Sequence, residues 1–200
     1  MWPWEHVLVG YLAYSLFSHL FFRESPDGAT TGAVVFASLL PDLIDKPLAW
    51  QFGVFPSGYA LGHSIFFAVP LSLLVGVLAA RRGRTRVGIA FGMAYLLHLV
   101  ADLVPYYFRW GYLPIERVLW PVLVTREPSY GLGEGFLVLF LPYLSQILAL
   151  EVTPYLLIQV GITAFTLSLW VYDGMPGTGV FVDGVRSALA TTEGVEESGR

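Results

Sequence analysis

The chain has 200 residues, of which 56% are hydrophobic, 16% aromatic and only 13% charged. Soluble globular domains carry about 25% charged residues, so this composition excludes an ordinary water-soluble enzyme and a disordered protein. The formal net charge is −4 and the sequence has no long basic run, which excludes a nucleic-acid partner of the basic-patch type. The lack of cysteine excludes disulfides, thiolate metal sites and cysteine nucleophiles.

The apolar residues are grouped into segments of membrane-spanning length, for which about 20 residues are needed. We predict five full spans, at residues 6–22, 62–80, 87–104, 135–150 and 152–171. Residues 29–41 are apolar but shorter and predict one short helix. The predicted fold is therefore an all-α, polytopic transmembrane helical bundle, in which the last two spans form a pair.

The remaining segments divide the chain into a membrane domain and a tail. Residues 1–172 are predicted to form one helical domain, and residues 105–135, rich in Pro, Tyr, Trp and Gly, a long loop with one short amphipathic piece at 113–124. Residues 173–200 combine acidic residues with Gly, Ser and Thr and are predicted to be a disordered, solvated tail.

Basic residues predict the orientation in the membrane. Arg23 follows the first span, and four arginines lie between residues 81 and 86, so the positive-inside rule places both turns in the cytoplasm. The amino terminus, the loop after Pro41 and the 105–135 loop then face the extracytoplasmic side. The predicted location is the inner, or plasma, membrane, with the lipid bilayer as partner.

Ionisable residues are few in the apolar segments, and such residues tend to be functional in membranes. His98 and Asp102 are four positions apart and share one helix face. His63, His98 and Asp102 lie roughly 27, 18 and 24 Å along their helices from the turn at 81–86. His6 and Asp42 are similarly far from the first turn, and Asp45 follows Asp42 by three positions. We therefore expect all six side chains at one end of the bundle, the outer end.

Imidazoles and carboxylates that meet at one depth are typical of a Zn²⁺, Mn²⁺ or Fe²⁺ site. The predicted cofactor is a divalent metal, with zinc favoured, and the predicted ligands are His6, Asp42, His63, His98 and Asp102. His19 is roughly 20 Å from His6 along the helix, near the opposite end, and is left out.

Each of these residues also has a structural interpretation. His6 neighbours Trp2 and Trp4 and is compatible with an interfacial position. Asp42 and Asp45 are compatible with helix capping. The dipeptide His63-Ser64 is compatible with an ordinary helix start. His98 and Asp102 are compatible with a simple structural pair.

The order of these residues is similar to that of a known family. His6, Leu40-Pro41-Asp42-x-x-Asp45, His63-Ser64, His98-x-x-x-Asp102 and the later Leu119-Trp120-Pro121 resemble the membrane-bound metal-dependent hydrolases. That family is also labelled LexA-binding, inner-membrane-associated hydrolases. The resemblance spans residues 5–121. It implies a helical membrane protein with a metal site, hydrolytic activity, and site residues His6, Asp42, Asp45, His63, His98 and Asp102.

One stretch departs from the family pattern. Family members usually have His-Arg-Gly-x-Thr-His-Ser, where this chain has Gly58-Tyr59-Ala60-Leu61-Gly62-His63-Ser64. The first His, the Arg and the Thr are therefore absent. Arg109 and Arg117, in the predicted outer loop, are the candidates to replace that arginine.

The favoured function is metal-dependent hydrolysis of a phosphoester, such as a lipid head group, at the outer membrane–water boundary. Asp45 or Glu5 is predicted to orient or deprotonate the attacking water. One alternative is a metal or proton transporter, for which only Ser15, Ser18 and His19 are available at the opposite end. The other is a non-catalytic membrane protein whose metal or polar cluster locks the helices together.

Overall fold

A computed structural model describes residues 1–125, 132–149 and 152–179 of the chain. These residues contain no strand and form six α-helices, which confirms the all-helical prediction: α1 (Pro3–Phe17), α2 (Gly28–Lys46), α3 (Ile65–Arg81), α4 (Thr85–Trp110), α5 (Leu132–Leu148) and α6 (Pro154–Tyr172). Shorter π-helical turns follow α1 (Ser18–Phe22) and α2 (Pro47–Gln51), and a 3₁₀ turn (Ile115–Arg117) follows α4.

Local sequence explains where the helices begin and end. The Asp27 carboxylate accepts a hydrogen bond from Thr30 N at 2.7 Å and caps α2, as an aspartate before a helix is expected to do. The Ser64 hydroxyl accepts from Phe66 N at the start of α3. Gly111 ends α4 with a φ of 75°, a left-handed conformation that favours glycine.

The first four helices run alternately up and down between two ends of the bundle. One end, called here the arginine end, carries the α1–α2 and α3–α4 turns, and the Glu24 carboxylate accepts a hydrogen bond there from Arg86. The other end, called here the site end, carries His6 at the start of α1 and Asp102 in the second half of α4. His6 Nε2 lies 3.2 Å from Asp102 Oδ1. The two arginine-bearing turns therefore lie together, as the sequence predicts.

The last helix, α6, runs parallel to α1. Tyr155 at its start donates a hydrogen bond to Glu5, and Asp173 just after its end accepts one from Tyr11 at 2.7 Å. In the middle of α5, the Tyr143 ring lies 5.0 Å from the Trp2 ring, so this part of α5 lies at the site end. Helix α6 therefore begins at the site end, whereas a preceding full span that started at the site end would have brought the chain to the arginine end.

Small residues let the central helices approach closely. The buried core is formed by all of the first four helices and contains Tyr14, Val34, Tyr95 and several alanines. A Cβ on Gly10 of α1 would lie 2.4 Å from Ser38 Oγ of α2, and one on Gly88 of α4 would lie 2.8 Å from the α3 backbone. Small residues at helix contacts are characteristic of membrane bundles, where close packing holds helices together.

Two helices in the described parts of the chain are long and apolar enough to cross a membrane. They are Thr85–Phe108, with a mean hydropathy of 1.9, and Pro154–Tyr172, with 1.5. Helix α3 is apolar but has only 17 residues. The predicted total of five spans is therefore not confirmed, although each predicted segment does contain a helix.

Three boundaries differ from the sequence prediction. Helix α2 does not stop at Pro41 but continues to Lys46, because a proline costs little where neighbouring helices support the backbone. Helix α4 likewise continues through Pro105 to Trp110, so the predicted loop begins later. Residues 173–179 of the predicted tail pack near α1 through Asp173, whereas residues 180–200 lie outside the described residues and their disorder stays a prediction.

Candidate metal site

Four segments bring the five predicted ligands together at the site end. His6 is in the first turn of α1, Asp42 is in α2, His63 lies just before α3, and His98 and Asp102 are in α4. Every one of these side chains is buried, with at most 7% of its surface exposed. Asp42 lies inside a helix, so it does not act as the helix cap that the sequence also allowed.

Four side-chain atoms, two nitrogens and two oxygens, lie close together at the centre of the cluster. The two Nε2 atoms of His63 and His98 are 3.1 Å apart. Asp102 Oδ2 lies 3.4 Å from His63 Nε2 and 3.6 Å from His98 Nε2. Asp42 Oδ1 lies 3.5 and 3.9 Å from the same two nitrogens. Two imidazole nitrogens and two carboxylate oxygens therefore form one compact group.

These distances match the edges of a coordination polyhedron. Ligands at 2.0–2.1 Å from a tetrahedral zinc are about 3.3 Å from one another, close to the observed separations. Asp42 Oδ2 lies 2.7 Å from the Lys46 ammonium, whereas Asp42 Oδ1, which faces the imidazoles, has no hydrogen-bond partner among the described residues. Since a buried carboxylate oxygen without a partner is costly, this open acceptor is compatible with a bound cation, and the residues could hold a metal ion.

The hydrogen bonds on the far side of each ring leave the central nitrogens as lone-pair donors. His98 Nδ1 donates to the Ser38 carbonyl at 2.7 Å, and a carbonyl can only accept. His63 Nδ1 donates to Asp45 Oδ2 at 2.8 Å. The neutral tautomers then carry their lone pairs on Nε2. Outer partners of this kind orient histidines that bind metals.

His6 belongs to the same group and does not form a second one. Its ring stacks on His98 with the centroids 3.7 Å apart, and its Nε2 is 3.2 Å from Asp102 Oδ1. Both ring nitrogens of His6 are buried without a hydrogen-bond partner of good geometry. The His6–His98–Asp102 and Asp42–His63–His98 groups share His98, whose Nδ1 is bonded to the Ser38 carbonyl, so the two groups could not hold separate ions at the same time.

Asp45 holds the loop that carries His63. Its carboxylate is fully buried and accepts hydrogen bonds from the backbone N–H groups of Ala60, Gly62 and His63, at 2.8, 2.8 and 3.0 Å, besides the one from the His63 ring. Four donors thus occupy both oxygens. This geometry suits a residue that positions His63 and gives no support to the predicted role in deprotonating water.

The Glu5 carboxylate also accepts hydrogen bonds that hold the fold together. This carboxylate accepts from Trp2 N at 2.6 Å and from the Tyr155 hydroxyl, so it caps α1 and ties α6 to it. Glu5 is in neither of the groups that could hold a metal. The predicted catalytic role of Glu5 therefore finds no support in the geometry.

Lys46 is a site residue that the sequence reasoning missed. Its ammonium lies 2.7 Å from Asp42 Oδ2, and it is the only lysine of the chain. The spacing of four residues between Asp42 and Lys46 on one helix could have revealed the pair. Arg109 is in α4, but its side chain lies outside the described residues.

His19 lies at the arginine end, as expected. Its Nε2 is 2.6 Å from Asp173 Oδ1, and Ser15 donates to the same carboxylate at 2.6 Å. The Ser18 hydroxyl instead donates to the Glu24 carbonyl. The polar groups on which the transporter alternative depends therefore form local contacts at that end.

Comparison with known proteins gives one match. No curated protein and no solved structure matches the chain significantly. The sequence profile of the YdjM inner membrane protein family matches residues 1–175, a range that includes all residues of the site. This match confirms the resemblance predicted from the order of those residues. The chain therefore belongs to the YdjM inner membrane protein family.

Proposed function

We propose that this protein is an integral-membrane hydrolase that depends on one divalent metal ion, with zinc as the preferred ion and a phosphoester as substrate. One observation carries the proposal: the Nε2 atoms of His63 and His98 lie 3.1 Å apart in a buried cluster, and one oxygen each of Asp42 and Asp102 lies 3.4–3.9 Å from both nitrogens. The oxygens that face the imidazoles, Asp42 Oδ1 and Asp102 Oδ2, are not the ones that pair with the Lys46 ammonium and the Met1 amino group, at 2.7 and 2.9 Å. Mixed nitrogen and oxygen donors favour zinc over magnesium or calcium.

The roles of the residues follow from their contacts. His63, His98, Asp42 and Asp102 would hold the ion, and His6 is close enough to Asp102 to be a fifth ligand. Asp45 fixes the tautomer and orientation of His63. A divalent ion supplies Lewis acidity toward water and toward a phosphoryl oxygen.

We further propose that the site faces the extracytoplasmic side. The support is that the Arg23 turn and the turn at 81–86 lie together at the opposite end, where Glu24 pairs with Arg86. An excess of arginine marks the cytoplasmic side of a membrane protein. Reporter fusions after residue 83 and after residue 111 would test this orientation, with cytoplasmic activity expected only for the first.

The metal site is tested by elemental analysis of the detergent-purified protein. We expect close to one equivalent of zinc, manganese or iron in the wild type and little in His98→Ala and Asp102→Ala. His19→Ala is the matched control, because His19 pairs with Asp173 at the other end, and it should keep its metal. A wild type that stays metal-free after incubation with these ions would overturn the proposal.

Hydrolysis is tested separately, with a panel of soluble phosphoesters and phospholipids. We expect turnover that a chelator abolishes, that added metal restores, and that is lost in His98→Ala. A metal-loaded wild type with no turnover on any phosphoester would refute hydrolysis while leaving the metal site intact.

A structural role for the metal is the second candidate, and the deep burial of the five ligands favours it. Under this alternative the ion locks α1, α2 and α4 together, as structural metals stabilise folds by binding the native state. Chelation would then lower the thermal stability, and no phosphoester turnover would be found. The first candidate predicts turnover as well as stabilisation.

A further inference from the structure

Lys46 lies at the boundary between the buried site and the protein surface. It is the last residue of α2, one helical turn after Asp42. Its Nζ is 2.7 Å from Asp42 Oδ2, and its side chain is 24% exposed whereas that of Asp42 is 8% exposed. The ion pair therefore holds the outer oxygen of the carboxylate and leaves the inner oxygen, Oδ1, 3.5 Å from His63 Nε2.

Neighbouring residues hold the Lys46 side chain in this position. A Cβ placed on Gly58 would lie 3.4 Å from Lys46 Cγ and 3.5 Å from Trp50 Nε1, so both side chains pack beside the loop that precedes His63. The Lys46 ammonium is 5.8 Å from the centre of the Trp50 ring, within the range of a cation–π contact. The lysine is thus packed between the end of α2 and this loop, and its charge is directed toward Asp42.

The second carboxylate of the cluster has the same arrangement. Asp102 Oδ1 is 2.9 Å from the Met1 amino group and 3.2 Å from His6 Nε2, whereas Oδ2 is 3.4 Å from His63 Nε2. Each of the two carboxylates therefore presents one inner oxygen to the imidazole nitrogens and has its outer oxygen beside a nitrogen of another residue. The central group then consists of two nitrogens and two oxygens.

A carboxylate can bind a cation through one oxygen or through both, and the charge of Lys46 distinguishes these two modes. Binding through both oxygens of Asp42 would bring a divalent ion to Oδ2, which already has the ammonium 2.7 Å away. Two cations beside one buried oxygen repel each other strongly, because little water screens them. The lysine therefore favours binding through Oδ1 alone.

The number of oxygen ligands affects which metal ion a site prefers. Four donors that include imidazole nitrogens suit tetrahedral zinc. Additional carboxylate oxygens instead suit ions such as Mn²⁺, which accept more ligands and are typical of oxygen-rich sites. A residue that limits Asp42 to one oxygen would therefore shift the preference of the site toward zinc.

We propose that Lys46 is a positioning residue that determines the metal preference of the site: by holding Asp42 Oδ2, it limits Asp42 to one ligand oxygen and favours zinc over manganese. The inference rests on the metal-binding part of the proposed function. It goes beyond that function because it requires no substrate and applies to a catalytic ion and to a structural ion alike. Without the charge of Lys46, both oxygens of Asp42 are able to bind the ion.

The test compares the affinities of the detergent-purified protein for Zn²⁺ and Mn²⁺, each measured by titration against a competing chelator. Lys46→Met keeps an apolar side chain beside Trp50 and removes the charge. We expect it to raise the affinity for manganese relative to zinc by about tenfold, the lower end of the effects of residues that contact metal ligands. X-ray absorption of the zinc-loaded variant should show one more oxygen ligand than in the wild type.

Two further variants make the comparison specific. Lys46→Arg keeps a positive charge beside Asp42 and should retain the affinity ratio and the ligand count of the wild type. Arg82→Met, which removes a positive charge from the turn at the arginine end, is the matched control and should also retain both. If Lys46→Met does not fold, Lys46→Gln replaces it with the same expected results, because its side chain is neutral.

The affinity ratio separates this role from a general electrostatic or structural one. Loss of a nearby charge, or of stability, would change the affinities for both ions by the same factor and leave their ratio constant. A wild-type ratio or an unchanged ligand count in Lys46→Met would overturn the inference and leave the metal site standing, and an equal shift in Arg82→Met would also overturn it.

The same measurements distinguish failure of the inference from failure of the proposed function. A wild type that binds neither ion would refute the metal site and the inference together. Because no substrate is present, the expected shifts in a protein that hydrolyses no phosphoester would support the inference and refute hydrolysis.

Discussion

Replacing Asp45 by asparagine tests whether this residue positions His63. The carboxylate accepts four hydrogen bonds in a fully buried position, three at Oδ2 and one at Oδ1. An asparagine has the same shape but only one acceptor oxygen. If that oxygen replaces Oδ2, the amide nitrogen faces the Gly62 N–H at the 2.8 Å position of Oδ1. One hydrogen bond to a charged acceptor is then lost, and two donors face each other.

The magnitude follows from these contacts. A hydrogen bond to a charged group contributes about 1.5–3 kcal/mol, and a buried unsatisfied donor costs about as much again, so we expect Asp45→Asn to lose about 3–6 kcal/mol of stability. The outer hydrogen bond that orients a metal-binding histidine is worth about 10- to 100-fold in metal affinity. Metal binding should fall by that factor.

The assay combines thermal unfolding in detergent with metal titration against a competing chelator. Asp27→Asn is the matched control, because Asp27 caps α2 at the arginine end and asparagine caps about as well, so a change of no more than about 0.5 kcal/mol is expected. Asp45→Asn with the metal affinity and stability of the wild type would refute the argument that Asp45 positions His63.

Three further predictions concern other parts of the bundle. Gly62→Ala should destabilise by about 1–3 kcal/mol and weaken metal binding, because its Cβ would lie 2.8 Å from the Pro41 carbonyl; Gly76→Ala, which meets nothing within 4 Å, should do neither, and equal melting temperatures would contradict this. Asp173→Asn should lower the melting temperature without changing metal content, since its carboxylate accepts from His19, Ser15 and the Tyr11 hydroxyl; loss of metal would contradict this. The hydrogen bond from Arg86 lowers the pKa of Glu24, so this pair stabilises the fold above the ordinary glutamate pKa and loses its contribution as the pH falls through the lowered value. Glu24→Gln should remove that acid dependence with little change at neutral pH, as for other exposed pairs, and a retained dependence in melts from pH 3 to 7 would count against the pairing.

The sequence by itself predicts the all-helical fold and the end of the bundle at which the candidate ligands lie. The rise of a helix per residue is fixed, so counting from the arginine-rich turns places His63, His98 and Asp102 at one end whatever the packing. The same counting places His19 at the other end, where it pairs with Asp173. Residue order was also sufficient for the family, which the profile match over residues 1–175 confirms.

The sequence alone does not determine the lengths of the helices or the direction of α5 and α6. The sequence predicts helix ends at Pro41 and Pro105, but both prolines lie inside helices that pack against their neighbours. The apolar pattern of residues 135–150 does not distinguish a helix that crosses the bundle from one whose middle lies beside Trp2. Hydropathy reports how apolar a segment is and contains no information about its direction.

Only the tertiary structure decided which residues act through others. Asp45 is only three residues from the predicted ligand Asp42, a spacing that a second ligand could have. Its carboxylate oxygens nevertheless accept hydrogen bonds from the loop before α3. Arg117 reaches Tyr59 because the chain returns over the site end after α4. Helical periodicity fixes neighbours within one helix, whereas loop paths depend on the packing of the whole chain, and these two contacts exist only after the helices have assembled.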